Sequence, residues 1–376
     1  MQRITIISLS NLKKDPRVKR QINYLKDFYE ITCVGLADPE IEGVNFVNVS
    51  IPFDKKKLAL SYVNLLFRRH LSFYWKQGEI MQSLEKLKNI ETDLLISNDI
   101  DVLPLCIELA KKSNAKIIFD AHEFSPLEHN DSFLWRLLFK QYKTFLIKNY
   151  AHKADLMLTV CQGIAERYHT DFGLRPLVIT NAANYVQTSI IPSRSEKIRL
   201  IHHGIAMPTR KIENMILMMD YVDDRFQLDL MLVHSKSAYY NKLEAMAAHR
   251  SNVNFIPPVE TDEIIAFTST YDFGIYILEP TNLNNHFALP NKLFEFIQAR
   301  LAIAIGPSPE MAKIVQEHQL GIVAQDFKPE TMAAALNKMT KESMDAFKLN
   351  ADKAAKILNA EENMKRLHNE MERLLN

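Results

Sequence analysis

The run Asn-His-Phe-Ala-Leu-Pro-Asn-Lys-Leu-Phe-Glu-Phe-Ile-Gln-Ala at 285–299 has residue types and spacing suited to holding an anion. It reads as a polar loop entering a helix, with Asn291 as N-cap, Lys292 in the first turn and Glu295 one turn further in. The first N–H groups of a helix lack partners within it, so such an end attracts anions, and a lysine beside it adds a full charge. Glu295 then stands where a carboxylate accepts hydrogen bonds from vicinal hydroxyls just behind a bound phosphate. A diphosphate joined to a ribose suits the pattern. A capped core helix with solvated Lys292 and Glu295 is the plainer alternative.

Upstream, His202-His203-Gly204 closes an apolar run, and Arg210-Lys-Ile-Glu213 opens the next helical one. Gly204 lets backbone come close to a ligand. Arg210 offers a planar fork to a phosphate. With Lys292 this makes two cations and a helix N-terminus, a set that stabilises negative charge developing on a diphosphate leaving group.

The first half carries looser signals. Asp15-Pro16 is a helix start, cap then first helical position. Val18, Ile22 and Leu25 form its buried stripe, with Arg17 toward a binding cleft or simply solvated. Gly-x-Gly-x-x-Gly is absent, which argues against a nicotinamide or flavin dinucleotide. Asn98-Asp99-Ile-Asp101 ends a strand. Its two carboxylates either hold a divalent cation or, the preferred reading, Asp101 caps the next helix while Asp99 orders the turn. Asp120-Ala-His122-Glu123 ends another strand and places an imidazole where it reaches a substrate hydroxyl. Basic and aromatic residues interleave over 53–76, including Lys55, Lys56, Lys57, Arg68 and Arg69 with Phe67, Phe73 and Tyr74. They do so again over 134–148, with Arg136, Lys140, Lys143 and Lys148. Such stretches either rest on an anionic membrane surface or are amphipathic helices with a basic outer face.

These loops need strands to position them. Short β-branched runs alternate with longer helical patterns, which predicts parallel sheets of βαβ units. Strands are expected at 4–9, 31–36, 94–97, 116–119, 156–160 and 177–179, then at 198–202, 228–233, 253–256, 273–278, 301–305 and 322–324. A polar linker is expected near 187–196. From about residue 341 the Ala, Lys, Glu and Leu content reads as one or two helices. The fold class is α/β: two Rossmann-like, doubly wound domains facing a cleft, with ligands beyond the carboxyl ends of the strands.

Composition bounds the partners. Lys+Arg of 46 against Asp+Glu of 45 leaves a net charge of +1, so there is no global field for nucleic acid and any positive site is local. Cys33, Cys106 and Cys161 sit in separate apolar runs, as reduced thiols without metal-ligand spacing. The N-terminus enters an apolar strand directly and no run of about eighteen uncharged apolar residues occurs. A cytoplasmic protein, at most peripheral on a membrane, is expected.

The chain resembles the GT-B glycosyltransferases, and is most similar to the retaining, nucleotide-sugar-dependent family 4 enzymes of bacterial surface-polysaccharide synthesis. The most specific piece is Leu-Pro-Asn-Lys-Leu-Phe-Glu at 289–295. The segments from Asp15, Asn98, Phe119, Ala154, His203 and Arg210 follow in the family's order. The resemblance implies an acceptor-binding domain at 1–186, a nucleotide-sugar-binding domain at 190–354, and a final helix at about 355–376 returning to the first. It implies that Arg210 and Lys292 contact the donor diphosphate, Glu295 the ribose, and His122 the transferred sugar. Gly204, His286, Pro290, Asn291 and Leu293 complete the donor site; Asp15, Arg17, Asn98, Asp99 and Glu123 fall on the acceptor side. No metal or other cofactor is implied. The partners are a UDP- or GDP-sugar and a lipid-linked or oligosaccharide acceptor. The sequence departs from the family at Phe287, where many members carry the first of two glutamates. Asn284, Asn285 or His286 would then meet the sugar. Two alternatives remain at this stage: a GT-B epimerase of UDP-amino sugars using Asp99, Asp101 and Glu123, and a non-catalytic subunit.

Overall fold

The computed structural model describes residues 1–52 and 62–376, so Lys55, Lys56 and Lys57 lie outside the described residues. The chain forms two compact units. The first comprises Met1–Thr180, Asn282–Asn284 and Met364–Asn376; the second comprises Asn181–Thr281 and Asn285–Asn363.

In the first unit, strands β1 (Arg3–Ile7), β2 (Glu30–Gly35), β3 (Asn45–Asn48), β4 (Leu94–Asn98), β5 (Lys116–Ala121), β6 (Leu156–Thr159) and β7 (Leu177–Val178) form one sheet. Its order is β3-β2-β1-β4-β5-β6-β7, and every pairing is parallel. Central strands such as β4 are buried end to end, because helices cover both faces of a parallel sheet. Strand β3 was not expected. Asn45-Phe-Val-Asn48 has two half-exposed apolar residues between asparagines, a pattern too short to signal a strand. Pairing with Thr32 through Gly35 makes it one.

Helix Pro16–Leu25 starts as the sequence predicts: Asp15 Oδ1 accepts from Val18 N at 3.2 Å, with Pro16 at the first helical position. Its Val18, Ile22 and Leu25 enter a core with Ile4, Ile6, Leu94 and Ile118. Met364, Leu367 and Met371, from helix Ala360–Leu375, complete that core.

The second unit holds β8 (Ile198–Ile205), β9 (Phe226–Val233), β10 (Val253–Phe255), β11 (Phe273–Tyr276), β12 (Ala302–Ile305) and β13 (Gly321–Val323), ordered β10-β9-β8-β11-β12-β13 and parallel throughout. Both sheets thus reverse their winding beside their first strand, at β1/β4 and at β8/β11. In such sheets ligands bind at the carboxyl end of that switch point.

Helix Asn291–Gln298 joins β11 to β12 and buries Leu293, Phe294, Phe296 and Ile297. Gly274 of β11 makes room for it: a Cβ there would lie 2.2 Å from the Phe296 ring. Helix Lys341–Ala355 sends Lys348 inward, where its Nζ donates to Asp272 Oδ1 at 2.9 Å and to the Ile191 carbonyl at 3.0 Å. The three cysteines are buried and unbridged. Among the described residues no helix is long and apolar enough to cross a membrane.

The fit of Phe296 against Gly274 sets the seat of the helix that carries Lys292. Phe296→Ala is expected to cost about 3–5 kcal/mol in urea unfolding. A loss under about 1 kcal/mol would show that the helix is held by something else.

Candidate active site

Strands β8 and β11 pair only at Leu200–Phe273 and Ile201–Gly274 and then part. Beyond that point the Ile275 carbonyl is met by His202 instead, whose Nδ1 lies 2.9 Å from it. His202 is fully buried, and its Nε2 is 3.3 Å from Lys292 Nζ. The lysine, only 6% exposed, stands over the Tyr276 ring at 4.1 Å from its centroid.

Gly204 follows two residues after His202 with a φ of +127°, a backbone conformation suited to glycine. A Cβ placed on it would lie 3.4 Å from Lys292 Nζ and 3.6 Å from Arg210 Nη1. The ammonium and the guanidinium therefore converge on one bare stretch of backbone. Arg210 ends a short 3-10 turn, Pro208–Arg210, and donates to the Ile205 carbonyl at 3.3 Å. Neither cation has a carboxylate within ion-pair distance among the described residues.

The charge pattern follows. Burial, then the Arg210 charge, push the Lys292 ammonium well below its ordinary range, with Glu295 opposing. Burial and Lys292 likewise push His202 far down and His203 down to about 3, so both rings are neutral. His203 faces the other way, with Nε2 3.4 Å from Glu295 Oε2 and its ring edge-on to Phe296. Burial and like charge thus disfavour the ammonium, and an anion bound between Lys292 and Arg210 would favour it.

The helix start differs from expectation. Pro290, extended at φ −76° and ψ 153°, is the N-cap, and Asn291 takes the first helical position. Proline's fixed φ suits the cap and displaces the asparagine inward, where its Oδ1 is buried without a partner. The Leu293 side chain is in the core, and its N–H bonds the Pro290 carbonyl at 3.1 Å. The expected loop around His286 is the short helix Leu283–His286, with the His286 ring against Phe287 at 4.7 Å. Asn285 Nδ2 donates to Thr281 Oγ1 at 2.7 Å and to the Thr209 carbonyl at 3.2 Å. That ties this segment to the turn carrying Arg210.

In the first unit a second cluster forms at the ends of β4 and β5. Arg17 is neither at the surface nor facing an open site. Its Nε and Nη2 embrace Asp120 at 2.9 and 2.7 Å, and Nη1 donates to the Ile179 carbonyl. Gln21, one turn on and fully buried, adds a third bond to Asp120 at 2.6 Å. Two polar residues four apart inside an apolar stripe, Arg17 and Gln21, are the signal of this pairing in the sequence. Paired in this way, Asp120 keeps its charge well below the usual carboxylate range against the cost of burial.

His122 meets acceptors on both ring nitrogens: Asp99 Oδ2 3.4 Å from Nδ1, and Asn98 Oδ1 3.1 Å from Nε2 with Asp120 beyond at 3.7 Å. Burial alone would lower its pKa. The two carboxylates outweigh that and raise it to about 9, so the ring is an imidazolium at neutral pH. Asp99 is held in the left-handed region at φ +68°, its Oδ1 accepting from His122 N. Asp101 does not cap the next helix, Leu103–Ser113, whose N-cap is Val102. It accepts from Lys143 Nζ at 2.6 Å, because that lysine points inward. Both carboxylates of the Asp-x-Asp are thus taken by cationic side chains. The same facts leave an epimerase fewer free carboxylates; Glu123 is exposed.

The basic-aromatic stretches also sort differently. Phe73, Tyr74 and Lys143 are core residues. Leu66, Phe67, Arg68 and Arg69 are exposed, as are Phe133, Leu134, Arg136, Leu137, Lys140 and Lys148 on helix Phe133–Tyr150.

The folded pKa of His122 lies above its unfolded value of about 6.5. Its stabilising contribution is complete below that pH and disappears as pH rises through about 9. Histidine NMR is expected to show that midpoint, and Asp99→Asn to lower it by about one unit or more. A wild-type midpoint at or below the unfolded value would mean the ring is neutral.

Residues 223–371 match the family described as glucosyltransferase 3-like, C-terminal domain. No curated protein matches the sequence. In structure the chain is similar to sucrose-phosphate synthase from Thermosynechococcus elongatus, with a TM-score of 0.73 at 13% identity over 100% of this chain and 99% of that one. It is similar to Anabaena HepE in complex with UDP-glucose, at 0.72 and 11% identity over 99% and 100%. A glycosyltransferase from Rickettsia africae gives 0.69 and 12% over 100% and 98%. At such identities the likeness is one of fold, two parallel sheets flanked by helices. The chain has the GT-B fold, and residues 223–371 of it match the glucosyltransferase 3-like C-terminal domain.

Proposed function

We propose that the chain transfers a hexose from a UDP-sugar, UDP-glucose first among those to test, to a lipid-linked saccharide acceptor with retention at the anomeric carbon. One observation carries the reading: Arg210 and Lys292 converge on Gly204 at the switch point of the second sheet, and among the described residues neither has a carboxylate within ion-pair distance. The UDP-glucose in the Anabaena structure and the glucosyltransferase name of the matched domain support the base and the sugar. A GDP-sugar is the other donor the same cations would accept.

In this mechanism the bond from the anomeric carbon to the diphosphate breaks as the bond to the acceptor oxygen forms on the same face. The acceptor proton passes to the departing phosphate oxygen. Arg210 and Lys292 stabilise the charge that grows there, in a buried setting where such contacts are strongest. They carry the electrostatic role a divalent cation plays elsewhere, so transfer is metal-independent. Glu295 takes the ribose hydroxyls. His122 has both ring nitrogens against acceptors of its own unit, Asp99 and Asn98, and so fixes those groups rather than donating to the sugar.

The acceptor's lipid places the enzyme at an anionic membrane surface. Arg68, Arg136, Lys140 and Lys148 line one groove of the first unit. Exposed Leu66, Phe67, Phe133, Leu134 and Leu137 belong to the same two segments. Cations beside apolar side chains match anionic headgroups over acyl chains. Capsule, lipopolysaccharide or exopolysaccharide synthesis is the corresponding role.

Arg210→Ala and Lys292→Ala are each expected to lower kcat for UDP-glucose-dependent transfer about 10²- to 10³-fold, with wild-type activity unchanged by EDTA. Undiminished turnover in both variants would remove the mechanism, and loss in EDTA restored by a divalent cation would remove its metal independence. In vesicle sedimentation, binding is expected to phosphatidylglycerol-containing but not pure phosphatidylcholine vesicles. It should weaken with salt and with combined Arg136→Glu, Lys140→Glu and Lys148→Glu. Equal binding to both vesicle types would argue against the charged surface.

A further inference from the structure

We propose that His202 is a positioning residue for the donor site, a neutral imidazole whose Nε2 lone pair holds the Lys292 ammonium beside Gly204 and Arg210. The inference rests on the reading of that site as the diphosphate site.

The hydrogen bonds dictate the tautomer. The Ile275 carbonyl only accepts, so the nitrogen 2.9 Å from it, Nδ1, carries the proton. An ammonium only donates, so Nε2, 3.3 Å from Lys292 Nζ, presents its lone pair. A doubly protonated ring would set N–H against an ammonium, two donors without an acceptor. The parting of β8 and β11 after Ile201 and Gly274 leaves the carbonyl available for this purpose.

Every charged or titratable group around the lysine fits the same logic. From β8 come His202 and His203, both neutral; from the turn after it, Arg210; from the end of β11, the Tyr276 ring; from the lysine's own helix, Glu295, whose charge favours the ammonium. A carboxylate in the place of His202 would neutralise the lysine and compete with phosphate. An imidazole fixes the ammonium without cancelling its charge, and the tyrosine face supports it from another side. The lysine thus stays in place with its charge unspent.

Three substitutions separate this role from simple packing. Asparagine places a donor near the Nδ1 position and keeps the Ile275 bond, but reaches nothing at Lys292. Glutamine places an acceptor near the Nε2 position. Leucine provides neither. With UDP titrated calorimetrically, His202→Asn and His202→Leu are expected to weaken binding about tenfold or more, and His202→Gln to stay within about threefold. Folded His202→Asn that binds UDP like wild type would overturn the proposal, as would His202→Gln binding no better than His202→Leu. Lys292→Met is titrated alongside: wild-type affinity there would sink the diphosphate-site reading itself, whereas its loss with His202→Asn unaffected sinks only the positioning role. For variants that fail to fold, nitrogen-15 histidine spectra of the wild-type protein decide. The Nδ1–H tautomer of His202 is required, and an Nε2–H tautomer or an imidazolium at neutral pH overturns the proposal.

Discussion

A buried lysine with no ion pair among the described residues is the constraint around which the second unit is arranged. Lys292 is 6% exposed and next to a guanidinium, an arrangement unfavourable in the free protein on both counts. Folding meets that cost with neutral contacts, an imidazole lone pair and an aromatic face, rather than with a carboxylate. The unfavourable energy is thereby kept for a ligand. On the proposed reading that ligand is a nucleoside diphosphate, whose negative charge is on the scale of the two cations.

What holds the lysine there is the topology of the sheet. In a doubly wound sheet the two strands at the reversal separate at their carboxyl ends, leaving unpaired backbone and a gap between loops. His202 uses the unpaired carbonyl of Ile275, Gly204 leaves its surface bare, and the helix bearing Lys292 is pressed down by Phe296 in the space Gly274 leaves. Each device is ordinary; their common location at one switch point gives the site its charge.

The two units use histidine in opposite states, for the same electrostatic reason. His202, beside a lysine and a carbonyl, is neutral. His122, between Asp99, Asp120 and the Asn98 side-chain amide oxygen, is charged. Arg17 and Gln21 hold Asp120 in place so that it remains an anion in the interior. An imidazole's role here is decided by whether the groups around it accept or donate.

Much of this was legible in the chain. Alternating β-branched and helical runs specify two parallel sheets, because local propensity and hydrophobic period are short-range properties. The Asp15-Pro16 helix start, and the importance of Gly204, Arg210 and Lys292 as residue types, were readable for the same reason. Strand β3 was not, since its register comes from its neighbour rather than from its own residues. Nor was the pairing of Arg17 with Asp120, 103 residues apart, the inward turn of Lys143 to Asp101, or the displacement of Asn291 by Pro290 as cap. The sequence by itself determined which elements form and which charges are present. Only the tertiary structure decided which of those charges are neutralised and which are left for a ligand, because that depends on distances between residues far apart in the chain and on how much water folding removes from around them.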